Sequence, residues 1–212
     1  MGTIKKGILG GFSGKIGTVV GANWKGVSYM RSLPKKFRDP HTEPQLNQRS
    51  KLAISIFFLK PVAELLRIGW KLYAQQRSTF NAAMSYTMLN AITGTYPNYS
   101  IDSGKVLISR GSLPPAVNAG ATSVSGKMKF EWNNNSGSSA AKQTDKALLA
   151  VVNPAKSEAV FDAAGADRKS GKQTLVLPAD WSGNNVEAYL GFISDDGKEV
   201  ANSMYLGSIT VA

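Results

Sequence analysis

The chain has 212 residues, 42% of them hydrophobic and 18% charged, and no cysteine. This composition excludes a disordered polymer, and it removes disulfide frameworks, thiolate nucleophiles and cysteine-bound zinc together. The charge is lopsided: residues 1–100 carry fourteen Lys/Arg against three acids (Asp39, Glu43, Glu64), whereas residues 101–212 carry eleven of each sign, so the whole net charge of +11 sits in the first half.

Such a split predicts a basic, partner-binding front (residues 1–95) joined to a neutral rear module (residues 96–212), both of ordinary domain size. The start of the chain is basic and lacks the apolar stretch of a secretory signal. The longest apolar run, residues 52–59 (LAISIFFL), is interrupted by Ser55, closed by Lys60 and Pro61, and far short of the roughly 20 residues that span a bilayer. The expectation is a soluble protein with no Sec signal or transmembrane segment, cytoplasmic or virion-associated.

Residues 7–33 hold glycines at 7, 10, 11, 14, 17, 21 and 26. Each costs a helix about 1 kcal/mol relative to alanine, so strands and turns are expected. Residues 16–20 and 27–32 have the β-branched and aromatic content of two strands, and Asn23-Trp24-Lys25-Gly26 has turn chemistry, which gives a glycine-rich hairpin. The glycines serve either positive φ at bulges or close approach of backbone to phosphates. A phosphate-binding loop of the Walker type is excluded, because Gly14-Lys15 is followed by Ile16 and Leu9 stands where the first glycine is required.

Residues 34–44 (PKKFRDPHTEP) read as a rigid charged connector, since three prolines remove amide donors. Thr42 with Gln45 has the spacing of a capping box and Pro44 suits a first helical turn, so a helix is expected from there to Lys60, with Leu52, Ile56, Phe58 and Leu59 as its apolar face. Pro61 either kinks that helix or opens the next, whose apolar positions are Val62, Leu65, Leu66, Ile68 and Trp70. A third helix over 78–92 presents Phe80, Ala83, Met84, Tyr86 and Leu89, with Gly94 as its stop. Arg49, Lys51, Arg67, Lys71 and Arg77 give this unit a basic outer surface, which is also the ordinary solvated face of amphipathic helices.

Beyond Tyr96 the pattern becomes short alternating segments: 127–132, 147–152, 159–161, 173–177, 186–193 and 203–211. That spacing predicts an antiparallel β-sandwich, with Asp195-Asp196-Gly197-Lys198 as the turn between the last two strands. The fold class expected is therefore α+β: a glycine-rich hairpin and a small helical unit, followed by the sandwich.

Catalytic constellations are missing from the sequence. His41, the single histidine, has no recognisable nucleophile or orienting group nearby and reads as an exposed linker residue. Asp195 and Asp196 read as turn residues rather than metal ligands. The chain is expected to be no enzyme and to carry no cofactor or metal. What remains is a basic surface of Lys5, Lys6, Lys15, Lys25, Arg31, Lys35, Lys36 and Arg38, interleaved with Trp24, Tyr29 and Phe37. Cations of this kind neutralise phosphates and exposed aromatics stack on bases, so the expected partner is nucleic acid or an acidic protein surface. The alternative reading makes the aromatics the core of the hairpin and the charges a solubilising shell. Open strand edges in such a hairpin also leave room for a homo-oligomer.

The segment GILGGFSGKIGTVVGANWKGVSYMRSLP, with the helix start PHTEPQLNQRSK, the stretch FFLKP and then FNAAMSYTMLNAITG, resembles an uncharacterised protein family of Bacteroidota. The resemblance implies a bacterial or bacteriophage origin and brings no catalytic residues. The rear half, with Trp132, Leu175, Leu177 and Tyr189 spaced along its strands, resembles fibronectin type III and other immunoglobulin-like sandwiches, folds of display and binding. Two functions are expected from these readings. One is a non-catalytic structural or assembly protein, linked to phage or mobile elements, whose basic front contacts nucleic acid or an acidic partner. The other is a surface or secreted module whose sandwich recognises a protein or glycan.

Overall fold

The computed structural model describes residues 2–4, 7, 10–24, 26–33, 41–137 and 140–212. The chain divides into two compact units, Met1–Thr42 and Glu43–Ala212. The fold is α+β, with a small helical unit and several antiparallel sheets.

The first unit is a four-stranded antiparallel sheet of β1 (Thr3–Ile4), β2 (Phe12–Ile16), β3 (Val19–Trp24) and β4 (Val27–Ser32), in that spatial order. The strand expected over 27–32 forms with those bounds. The strand expected over 16–20 does not: its β-branched residues belong to two strands, and Gly17-Thr18 make the turn between them. Gly17 sits at φ +56°, a conformation that costs glycine nothing and a branched residue a great deal. The second turn closes where the Asn23 side-chain oxygen accepts the N–H of Gly26 at 3.2 Å. Among the described residues of this unit, Gly21 alone is fully buried, and a Cβ there would collide with the Phe12 ring. Of the connector expected over 34–44, residues 34–40 lie outside the described residues, and Glu43 and Pro44 belong to the first helix of the second unit instead.

In the second unit, helix α1 (Glu43–Leu59) starts directly after Thr42 and carries Pro44 in its first turn, where a missing N–H is harmless. Pro61 ends it by opening a 3₁₀ turn, Lys60–Val62, that leads into α2 (Ala63–Gly69). Ser78 caps α3 (Thr79–Asn90), its hydroxyl accepting the N–H of Asn81 at 3.1 Å. The expected helical faces need correction at three places. Leu52 and Ile56 on α1 are each 37% exposed, and Leu89 on α3 is 82% exposed. Gly94 does not stop α3; it lies at φ +87° inside strand β5 (Ile92–Thr95), which pairs with β6 (Asn98–Ile101). The expected Phe58, Leu59, Val62, Leu65, Leu66, Trp70 and Ala83 are buried, and Ala82 joins them.

The sandwich is built of two sheets. One has the order β11 (Lys172–Val176), β8 (Lys127–Asn133), β7 (Val117–Val124); the other has the order β10 (Glu158–Asp162), β9 (Lys146–Asn153), β12 (Asn185–Ile193), β13 (Met204–Thr210). All six expected strands are present within two residues of their expected ends, and β7, rich in Ala, Gly and Ser, is an addition. The four-stranded sheet is covered on both faces. Ala147, Leu149 and Val151 of β9 point into the core between the two sheets, with Trp132, Phe130 and Phe192. Leu148, Ala150 and Val152 point the other way, into a core with Leu59, Leu65, Trp70 and Ala83 of the helices. Double coverage explains why KALLAVVN reads as an unbroken apolar run, without the alternation of a half-exposed strand. It also places the helices in one unit with the sandwich, where the charge split alone put a boundary near residue 95. Tyr189 takes part in the helix-facing core, not in the inter-sheet core with Trp132.

Candidate functional site

The sheet of the first unit sets out the expected basic surface row by row. Residues directly opposite in an antiparallel pair share a face. Lys15 is opposite Val20, and Val20 is opposite Arg31, which puts both cations in one row across β2, β3 and β4. Tyr29 lies opposite Ala22, and Trp24 opposite Val27. Along β4, Val27, Tyr29 and Arg31 alternate to the same side. Lys15, Trp24, Tyr29 and Arg31 therefore stand on one face, all four exposed. Phe12, Gly14, Ile16, Gly21 and Met30 occupy the other face by the same register. The expected site residues Lys5, Lys6, Lys25, Lys35, Lys36 and Arg38 lie outside the described residues, as does Phe37.

The aromatics of this face are not the core of a hairpin. Tyr29 is 46% and Trp24 42% exposed, and Val27 beside them is 64% exposed. A strand surface carrying cations and partly exposed rings has the chemistry for charge neutralisation and stacking at once.

The second unit holds a different kind of concavity. A groove of about 410 Å³ runs between α1 and the β5–β6 hairpin, lined by Ile54, Phe57, Phe58, Tyr99 and Ile101, with Glu187 of β12 among its walls. Glu187 accepts a hydrogen bond from the Tyr205 hydroxyl at 2.5 Å, and Tyr99 donates to the Asn47 side-chain oxygen at 2.6 Å. Burial, together with the Glu187 carboxylate, pushes the Tyr205 phenol far above its ordinary range, and burial does the same to Tyr189. Both phenols are hydrogen-bond donors across the physiological range and supply no base. No local pattern marks this groove, because its walls come from positions more than 130 residues apart.

Other polar clusters hold the architecture together. Arg168 and Asp145 form a fully buried pair at 3.1 Å. The guanidinium also donates to Asn135 at 2.7 Å and to the Pro114 carbonyl at 3.0 Å, and it lies 3.9 Å from the Phe192 ring centre. With the Pro115 carbonyl at 3.4 Å, these protein partners take up four of its five N–H groups, which makes it a structural anchor. Arg110 lies against the rings of Trp70, Tyr73 and Tyr86 at 5.8, 4.4 and 5.2 Å. Asp196 is a turn residue, accepting from the Ser194 hydroxyl at 2.7 Å and from the Lys198 N–H at 3.1 Å; these bonds hold its carboxyl at about 2. His41 is exposed. Among the described residues there is no group of three or more His, Asp or Glu side chains placed to hold a metal ion, and no helix long and apolar enough to cross a membrane.

A family model matches residues 11–207, which takes in β2 to β4 of the glycine-rich sheet, the helices and nearly all of the sandwich. The chain belongs to DUF6266, a family of unknown function. No curated protein matches it. Among solved structures, the fn3 domain of human collagen alpha-1(XX) chain is similar over 49% of this chain and 91% of that one, at 13% identity and a TM-score of 0.34. A likeness at that score carries no argument, and the sandwich is established here by its own strand order and core.

Proposed function

We propose that this DUF6266 protein is a non-catalytic structural or assembly protein that binds nucleic acid, single strands above all, through the Lys15/Trp24/Tyr29/Arg31 face of its N-terminal sheet. The observation that supports it is the register: one row carries both described cations, and the aromatics line the same side two and four residues along β4 and β3. Phosphates pair with Lys15 and Arg31 while bases stack on Tyr29 and Trp24, so binding is salt-sensitive and indifferent to sequence. The Arg31 side chain reads no base edge here; it positions the backbone.

The test is a salt titration of single- and double-stranded DNA and RNA binding by the full chain and by Lys15→Glu/Arg31→Glu. The wild type binds single strands at low salt with a steep salt slope. The double variant loses two phosphate contacts, which lowers that slope by about 1.4 on single strands. Unchanged affinity in the folded variant rules the face out. A second reading, that the other unit binds a protein or glycan, is favoured by the apolar groove at Glu187. It requires Glu187→Gln to weaken capture of that partner while nucleic-acid binding stays intact.

A further inference from the structure

Strand β4 closes one side of the N-terminal sheet, and no strand among the described residues lies beyond it. Of the devices that blunt an edge it has one charged side chain, Arg31, and little else. It is six residues long, contains no proline, and pairs with β3 without a bulge. Its side chains are bare on both faces, Val27 at 64% and Met30 at 72% exposed.

The ladder with β3 tells which backbone groups are already used. The Leu33 N–H donates to the Thr18 carbonyl at 2.7 Å, in the register that pairs Ser32 with Val19. Hydrogen-bonded and non-bonded pairs alternate along an antiparallel ladder. Val27, Tyr29 and Arg31 therefore direct their N–H and C=O groups to β3, and Ser28, Met30 and Ser32 direct theirs outward, away from the sheet.

We propose that β4 pairs antiparallel with β4 of a second copy of this chain, joining two four-stranded sheets into one. A two-fold axis at Met30 sets Met30 against Met30, Ser28 against Ser32 and Tyr29 against Arg31, so that all three outward amides of each strand meet a carbonyl. The segment VSYMRS is suited to this pairing. Its one charge falls opposite an aromatic ring and never opposite itself, and the Tyr–Arg contacts add cation–π attraction twice over. A partner strand of arbitrary sequence has no such constraint to satisfy, which is why the occupant is a second copy. The pairing keeps equivalent faces on the same side, so the Lys15/Arg31 row of each copy runs into the Ala22/Tyr29 row of the other. It does not depend on what those rows bind.

The test is sedimentation equilibrium of the full chain, without nucleic acid, over a wide concentration range and at salt high enough to screen the two basic units. The mass rises with concentration from 22.6 kDa toward twice that value. Met30→Pro removes an outward donor and leaves the β3 ladder its own bonds; it stays at the monomer mass throughout. Met30→Lys, at an exposed position that folds without constraint, sets two like charges face to face and also stays monomeric. Amide exchange supplies the second readout: Ser28, Met30 and Ser32 exchange fast in dilute protein and become as protected as Val27, Tyr29 and Arg31 when it is concentrated. A wild type that remains monomeric at its solubility limit overturns the proposal. So does a Met30→Lys variant that still dimerises, or a dimer in which the outward amides still exchange fast. None of these results bears on nucleic-acid binding by the monomer, which the double charge reversal tests separately.

Discussion

Two four-stranded antiparallel sheets in this protein solve opposite problems. The sheet β10-β9-β12-β13 is buried on both faces, between a second sheet and the helices, and Lys146–Asn153 in its middle has no exposed residue. The sheet β1-β2-β3-β4 has one fully buried residue among those described, a glycine, and leaves Ile4, Ile16, Val27, Tyr29 and Met30 largely bare. Register is not what separates them, since the buried sheet is the one with a shift, at Ala188/Tyr189 of β12. The difference lies in side-chain volume. Small residues and glycines on β2 and β3 bring strands together but give a second layer little to pack on, whereas the Leu, Val, Ala and Phe residues that fill both faces of β9 and β12 require cover on both sides. A sheet of the first kind contributes a surface, and one of the second kind contributes stability.

Substitutions should separate the two sheets by size of effect. Replacing Arg168 with Ala strands the buried Asp145 carboxylate and costs about 3–5 kcal/mol, read as a fall in the urea midpoint. Leu148→Ala and Leu149→Ala probe the two faces of one strand. Each should cost about 2–5 kcal/mol, and a near-neutral result for either would show that its face is not covered. Lys15→Glu/Arg31→Glu should leave the unfolding midpoint in place while nucleic-acid binding collapses, the reverse of the pattern in β9. Leu89→Ser, at a position 82% exposed, should change stability by no more than about 0.5 kcal/mol.

A pH series adds the smallest contribution. The carboxyls of Asp167, Asp180 and Asp196 are held low, by Lys146, by Lys156 and by the Ser194 hydroxyl with the Lys198 amide respectively. A depressed folded-state pKa contributes stability that is present above the unfolded value of about 4 and is lost as pH falls through the folded value. For Asp196 that window runs down to about 2. Asp196→Asn should therefore flatten the acid limb of the stability curve there and leave neutral stability the lower of the two proteins.

Much of the fold was legible from local pattern. Alternation, turn residues and caps predicted six sandwich strands, β4, the start of α1 and the two helices after Pro61. Strand β7 escaped because its Ala, Gly and Ser residues carry little strand signal and its pairing with β8 decides it. The strand drawn across Gly17 failed because Ile16 on one side and Val19-Val20 on the other side of a two-residue turn look like one run. Leu52, Ile56 and Leu89 fit a helical period, yet only the direction of the neighbouring layer decides which stripe of a helix is covered.

The candidate site divides in the same way. Residue types alone marked Lys15, Trp24, Tyr29 and Arg31 as a cationic and aromatic set, because charge and ring chemistry are properties of the side chain itself. That they share one face is a matter of register, and register depends on a turn at Gly17 that shifts every later residue by its length. The chain by itself determined the basic front, the absence of cysteine chemistry, the glycine-rich strands and the sandwich texture, since each is carried by neighbours a few positions apart. Only the tertiary structure decided that the helices share a core with the sandwich, that Glu187 and Phe57 border one groove, and that β4 is the last strand of its sheet among the described residues. Those facts join residues far apart in the chain, where packing, and no local preference, does the selecting.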